Sequence, residues 1–238
     1  MAKQLMFYEK VAPVSLERHK DWSIQTGVSY RFAQSANAAP LMCAEFLTAA
    51  TELPIVFGKS EEGFSPVAIL GIEQDNCLLV DDDGAWLGRY IPAFVRRYPF
   101  VFAADDKQET FTLCVDEEYP GIDPDGKRGD QLYDGDEPAP ILERALEFSR
   151  NYELEARKTN EFCKLLNEQN LFDPMQAGIT LPDGQKRSVT GFYVVSRERL
   201  KEMSDEVRDD FFKRDVLELI YYHLASLRNM EKLRDLAA

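Results

Sequence analysis

Short runs of β-branched and aromatic residues restrict the fold of this chain more than any other feature of its sequence. Five of these runs occur between Pro54 and Val115, at residues 54–57, 67–72, 77–80, 100–102 and 111–115. The turn-forming pairs among them are Glu62-Gly63, Asp75-Asn76 and Asp83-Gly84. The pattern predicts a meandering antiparallel sheet, because such pairs reverse the chain between short strands.

Additional strands are predicted on either side of this region. Residues 30–33 are expected to form a strand that leads into a short helix over residues 38–50, where a proline stands in the first turn. Near the end of the chain, residues 179–181 and 188–195 are expected to form two strands. The turn Pro182-Asp183-Gly184 would join them.

Helical periodicity dominates the part of the chain that follows an acidic loop. Residues 116–137 combine nine acids with several glycines and prolines, a composition typical of loops. Apolar residues then recur at steps of three and four, which predicts a helix of about thirty residues from Pro138 to near Asn170. A last helix is predicted beyond Asp209. Its apolar face comprises Leu217, Ile220, Leu224 and Leu227.

These elements predict one α+β domain over residues 1–238. Its β-rich part would span about residues 1–115, followed by the acidic loop 116–137 and by a helical part with a late hairpin at 138–238. The sheet is expected to be mainly antiparallel and meandering. A long helix is expected after residue 138, and another helix at the C-terminus.

The charge balance excludes several classes of partner. The 28 Lys and Arg residues against 42 Asp and Glu residues give a formal charge of −14. Such a field repels phosphate backbones and anionic lipid head groups, so nucleic acid is not expected as a partner. No window approaches the ~18 apolar residues of a membrane-spanning helix. The first residues lack the apolar core of a secretory signal, so neither membrane insertion nor secretion is predicted.

The cysteines indicate the redox compartment. Each of the four lies more than thirty residues from the next, and none belongs to a Cys-x-x-Cys pair that would suggest zinc. They are Cys43, Cys77, Cys114 and Cys163. Their apolar neighbours predict buried free thiols in a reducing compartment, and we therefore expect the protein to be cytoplasmic.

A basic and aromatic segment over residues 88–100 is the strongest candidate for a ligand-binding site. Three arginines lie there among aromatic and branched residues, although the chain as a whole is acidic. A guanidinium group binds a carboxylate through two parallel hydrogen bonds and stacks on aromatic rings. The predicted ligand-binding residues are Arg89, Arg96, Arg97, Tyr90, Tyr98 and Trp86. The alternative is that Arg96 and Arg97 form structural ion pairs.

Metal-site motifs are weaker. His19-Lys20-Asp21 matches half of a two-histidine, one-carboxylate iron site, for which His223 is the only other histidine in the chain. The alternative is that both histidines are structural. Acidic turns around Gly84 and Gly126 lack the first and last ligands of an EF-hand, so solvated turns are predicted. No catalytic residue and no cofactor is assigned.

Motifs along nearly the whole chain resemble the bacterial SapC-like family. They include Tyr30-Arg31-Phe32-Ala33, Asp83-Gly84-x-Trp86, the segment 90–100, Leu113-Cys114-Val115-Asp116 and Gly191-Phe192-Tyr193-Val194-Val195. The family is named after a locus for surface-layer protein, and its members have no assigned reaction. The resemblance implies an accessory role in a modification or surface-related pathway.

The sequence therefore predicts an accessory or binding protein whose partner is a peptide or another protein. The alternative is a non-haem iron oxygenase that uses His19, Asp21 and His223. No oligomeric state is predicted.

Overall fold

The structure is a computed structural model that describes residues 6–104, 111–181 and 184–237, and these residues form helices and short antiparallel strands. The strands are β1 (Val11–Pro13), β2 (Ser23–Ile24), β3 (Ala38–Pro40), β4 (Ile55–Ser60), β5 (Gly63–Ile69), β6 (Phe100–Ala104), β7 (Phe111–Asp116), β8 (Ile122–Asp123), β9 (Asp130–Gln131), β10 (Tyr133–Asp134), β11 (Glu137–Pro138), β12 (Phe172–Thr180) and β13 (Lys186–Val195). The helices are α1 (Leu16–His19), α2 (Phe46–Ala49), α3 (Ala93–Arg96), α4 (Pro140–Glu168), α5 (Arg197–Glu202), α6 (Asp205–Lys213), α7 (Val216–Ser226) and α8 (Met230–Leu236). These elements confirm the predicted α+β class.

The largest sheet has five strands in the order β12-β13-β4-β5-β3, with antiparallel neighbours throughout. It consists of two hairpins side by side, β12–β13 and β4–β5, and an edge strand. Two three-stranded sheets, β1-β7-β6 and β8-β2-β9, and the β10–β11 pair complete the described topology. The strands predicted as one meander are thus divided between two sheets. The predicted run at 77–80 contributes an isolated bridge from Val80 to Trp86.

Two helix predictions differ from the structure, one in its first residue and the other in its continuity. Helix α4 begins at Pro140 and not at Pro138, because Pro138 belongs to β11. Pro140 suits the first helical turn, where its missing N–H costs no hydrogen bond. The predicted final helix is divided into α6, α7 and α8. Asp215 separates the first two of these, because its backbone is left-handed with φ +57°.

The prediction for the segment before β4 was wrong in its order of elements. The strand expected at residues 30–33 is a 3₁₀ turn, Arg31–Ala33. Where the helix over 38–50 was expected to begin, Ala38–Pro40 forms the edge strand β3, a position that tolerates proline. The helix there is short, Phe46–Ala49. In the turn predicted at 182–184, Pro182 and Asp183 lie outside the described residues.

The first half of β4, in the middle of the five-stranded sheet, is buried on both faces. Ile55 and Phe57 belong to the main hydrophobic cluster, and Val56 between them belongs to a second cluster, since successive strand residues face opposite sides. Helix α4 packs on β5, and helix α7 packs on β4 and β13. Leu233 of α8 lies in the second cluster. This packing places α7 directly beside the seam between the two hairpins.

All four cysteines are free and buried, as the sequence predicts. Burial raises the pKa of Cys43 to about 12. Burial also raises the pKa of the other three thiols, Cys77, Cys114 and Cys163. In the described part of the chain, no helix combines the length and the apolar character that a membrane crossing requires.

Candidate functional site

Arg97, a predicted ligand-binding residue, stacks between two rings of the protein itself. Its guanidinium carbon lies 4.3 Å from the Phe94 ring centroid and 4.6 Å from that of Tyr152. The Arg97 Nε is buried and has no hydrogen-bond partner among the described residues. Burial raises the pKa of Tyr152 to about 12, and the neighbouring Arg97 opposes that rise. Arg97 is therefore held by cation–π contacts.

Arg96 and Arg89 expose their side chains. The Arg96 Nε–H donates to the Ile91 carbonyl at 2.9 Å, and its guanidinium lies 5.9 Å from the Tyr90 ring centroid. The backbone N–H of Arg89 donates to Glu52 at 2.9 Å. Within the described residues, none of the three predicted arginines forms an ion pair with Asp or Glu. The ion-pair alternative therefore gains no support.

The predicted aromatic residues are held by internal hydrogen bonds. The Trp86 Nε1–H donates to the Tyr90 carbonyl at 3.0 Å, and the Tyr90 hydroxyl donates to Glu45 at 2.5 Å. The Tyr98 hydroxyl donates to Asp116 at 3.1 Å. These bonds occupy polar atoms that a ligand would otherwise engage, and the binding role of the six residues stays a prediction.

His19 of the predicted iron site is fully buried, and its ring lies beside the buried side chain of Glu117. Its Nδ1 accepts the Ser15 N–H at 3.1 Å, which places the ring proton on Nε2, 3.3 Å from the Glu117 carboxylate. Burial lowers the pKa of His19, and Glu117 opposes that change. Asp21, the predicted carboxylate ligand, is exposed.

His223 uses both ring nitrogens inside the core. Its Nδ1–H donates to the Ile55 carbonyl at 2.8 Å, and its Nε2 accepts the Val195 N–H at 3.0 Å. No nitrogen remains to bind a metal. Among residues 6–104, 111–181 and 184–237, no group of three or more His, Cys, Asp or Glu side chains could hold a metal ion. The hypothesis of an iron site at His19, Asp21 and His223 is therefore not supported.

His223 instead separates two neighbouring strands. The register pairs Tyr193 with Phe57. In a continuous antiparallel ladder Val195 would therefore lie opposite Ile55, and these are the two residues whose backbone groups bind His223. The imidazole lies between them, and the Ile55 N–H donates to Ser226 Oγ at 2.9 Å. Helix α7 thereby supplies the hydrogen bonds that β13 would otherwise make with β4.

Beyond the Phe57–Tyr193 pair, the β12–β13 hairpin bends away from β4. The register between β12 and β13 shifts between Met175 and Ala177. On the opposite strand Gly191 has φ +81°, a conformation that glycine adopts without strain. A bulge of this kind bends the strand and increases its twist. In the described part of the chain, no residue of β13 before Tyr193 pairs with β4.

A cleft of about 570 Å³ opens where the two hairpins diverge, and we call it the hairpin cleft. Its lining residues come from β4 and the turn after it on one side and from β12 and β13 on the other. They are Lys59, Ser60, Glu61, Pro174, Met175, Gly191, Phe192 and Tyr193.

The main chain of Lys59 faces the hairpin cleft. Alternate residues of an antiparallel strand direct their N–H and C=O groups to the same side. Ile55 directs both groups towards α7, and Phe57 pairs with Tyr193. Lys59 is the next residue in this series, so its N–H and C=O point into the hairpin cleft. The same groups of Gly58 face β5.

Aromatic rings pack beside Lys59. Tyr193 meets Phe64 edge-on with ring centroids 5.0 Å apart, and Phe64 stacks on Phe172 at 4.0 Å. The Lys59 Nζ lies 5.3 Å from the Phe64 centroid and 5.9 Å from that of Tyr193. The hairpin cleft therefore combines a main-chain hydrogen-bonding edge with the Tyr193 ring and the Lys59 ammonium group, and the Phe64 ring supports both of these side chains from outside the cleft.

The sequence interpretation did not identify the hairpin cleft. One signal was present: Gly191 interrupts a run of β-branched and aromatic residues. Glycine inside a strand often marks a bulge or a close backbone approach. The divergence from β4, however, depends on contacts between distant parts of the chain.

A model of the SapC family matches residues 14–233 of the 238-residue chain, a range that contains the whole hairpin cleft. A search of curated proteins and a search of solved structures each found no match.

Proposed function

This chain belongs to the SapC family, and from that premise we propose that it is an accessory protein that binds an extended segment of a partner polypeptide in the hairpin cleft. One observation carries the proposal: the backbone N–H and C=O groups of Lys59 face the cleft, and no residue of β13 in the described part of the chain pairs with Lys59. An extended peptide that lies along such an edge adds a strand to the sheet.

Strand addition fits the chemistry of both walls. Main-chain hydrogen bonds supply affinity, and alternate side chains of the peptide enter pockets that supply specificity. Tyr193 and the exposed Met175 offer apolar contacts for such side chains. The Lys59 ammonium forms no ion pair among the described residues, so it favours a peptide with an acidic residue nearby.

Other properties of the chain support the class of partner, the compartment, the domain organisation and the pathway that we propose. The formal charge of −14 supports a polypeptide partner over nucleic acid. Four free buried cysteines support a reducing compartment, which we propose to be the cytoplasm. The main hydrophobic cluster contains residues from Phe7 to Leu224, which supports one domain over residues 1–238. The family resemblance supports a modification or surface-related pathway.

Replacing Lys59 with proline should weaken peptide binding at least about tenfold, because proline removes the N–H that faces the incoming strand. The bonds to β5 belong to the neighbouring residues and stay intact. The matched control Lys59→Ala keeps the N–H and should stay within about threefold of the wild type. The probe is a heptapeptide selected from a random library on the wild-type protein, and the dissociation constant is measured by titration calorimetry.

A scan of N-methylated peptides on the wild-type protein provides a test that needs no variant. Methylation should weaken binding at every second position, since alternate peptide N–H groups face β4 in an added strand. Equal affinity of wild type and Lys59→Pro, together with no alternation in the scan, would contradict strand addition.

A further inference from the structure

A second concave site lies among α5, α6 and α7, and we call it the basic groove. Its volume is about 240 Å³. The groove is lined by Arg197, Leu200, Lys201, Arg208, Tyr221 and Leu224. None of these residues lines the hairpin cleft. The basic groove is therefore a separate site.

Three cations face this groove in a chain whose formal charge is −14. Arg197 and Lys201 lie one helical turn apart on α5, so they share one face of that helix. Arg208 is held in place, because it donates to the Met203 carbonyl at 3.1 Å and pairs with Asp205 at 2.9 Å.

Two of these cations have no anion of their own. Within the described residues, the side chains of Arg197 and Lys201 form no ion pair. Both side chains are exposed and lie on the same short helix. Cations that are gathered in a concavity without partners leave a positive potential there, which attracts an anion.

The rest of the lining is apolar. Leu200 and Leu224 are buried and form the floor, and the Tyr221 side chain is exposed. A bare inorganic anion would leave this apolar surface without a partner. The volume lies below the roughly 300–1,000 Å³ of sites for drug-sized ligands, so it suits a single ring or a short chain.

We propose that the basic groove binds a small organic acid with an apolar body. Its carboxylate meets Arg197 and Lys201, where the guanidinium binds both oxygens and the ammonium adds a point charge. Its body lies on Leu200 and Leu224 beside the Tyr221 ring.

Benzoate is the probe that tests this assignment, because it has one carboxylate on one apolar ring. Titration of the full chain, followed by NMR, should give saturable binding. Benzamide, its uncharged counterpart, and inorganic phosphate should each bind at least about tenfold more weakly. Equal binding of benzamide would contradict the role of the charge, and equal binding of phosphate would contradict the role of the apolar floor.

Variants locate the benzoate site. Arg197→Gln and Lys201→Gln should each lower benzoate affinity about tenfold. Lys213→Gln removes the same charge from an exposed position of α6 outside the groove and should leave the affinity unchanged. An equal loss in all three variants, or no loss in either groove variant, would overturn the proposal. So would a peptide whose free C-terminus binds at least about tenfold more tightly than benzoate, because that result assigns the groove to a protein terminus.

Discussion

Replacing Asp116 with alanine is expected to lower the free energy of unfolding by about 3–5 kcal/mol, because it leaves three backbone N–H groups and one buried tyrosine hydroxyl without their acceptor. The carboxylate of Asp116 is fully buried and accepts the backbone N–H groups of Glu9 and Lys10 at 2.9 Å each. It also accepts the Glu118 N–H at 3.2 Å and the Tyr98 hydroxyl at 3.1 Å. This one side chain therefore ties the start of the chain to the end of β7 and to the aromatic core.

Urea unfolding, followed by the fluorescence of the two tryptophans, measures this loss. Asp116→Asn keeps one acceptor oxygen and the side-chain shape, so it should lose about half as much as the alanine variant. Asp134→Ala is the matched control, because Asp134 is exposed and its replacement should change the free energy by no more than about 0.5 kcal/mol. A loss below about 1 kcal/mol for Asp116→Ala would contradict this role.

His223→Ala is expected to cost about 3–5 kcal/mol of unfolding free energy. The substitution leaves a cavity in the core beside Phe57, whose ring centroid lies 5.0 Å from that of the imidazole. It also leaves the Ile55 carbonyl and the Val195 N–H without their partner. His223→Gln, which keeps a donor and an acceptor, should recover part of this loss. Equal losses in the two variants would show that the hydrogen bonds contribute little.

The same residue predicts a pH dependence of stability. Burial lowers the pKa of His223 from its ordinary 6.5 to about 4. As the pH falls, the unfolded chain therefore takes up a proton at this residue before the folded protein does. The stability that His223 contributes is fully present above pH 6.5 and is lost as the pH falls towards 4. The decline amounts to about 3 kcal/mol. His223→Gln should lack this contribution and keep those of the same sign from His19 and, close to pH 4, from Asp123 and Asp136, whose pKa values are lowered by hydrogen bonds. An unchanged slope in His223→Gln would contradict this assignment.

The hairpins could be predicted from the sequence because their signals are local. Glu62-Gly63 stands between two apolar runs, and β4 and β5 do pair across that turn. The segment at 30–33 shows where local signals fail. Its aromatic residues favour a strand, yet Tyr30 and Phe32 pack on distant rings and the backbone forms a turn. Tertiary contacts decide the conformation there, as they often do for residues with strand propensity.

The hairpin cleft could not be predicted for a related reason. The cleft depends on the pairing of Phe57 in β4 with Tyr193 in β13 and on His223 of α7, which lies between these two strands. It also depends on Gly191, which bends β13. None of these contacts leaves a periodic pattern. The arginine segment at 88–100 was easier to notice by composition, but composition does not show that Arg97 stacks on the protein's own rings.

Photo-crosslinking tests the peptide site most directly. The selected heptapeptide would carry a benzophenone side chain at its central position, and mass spectrometry would identify the residues of wild-type protein to which it becomes attached. Strand addition predicts crosslinks at residues 59–61, at Met175 and at residues 191–193. Crosslinks confined to residues 86–98 or to the basic groove, with none at the hairpin cleft, would contradict it.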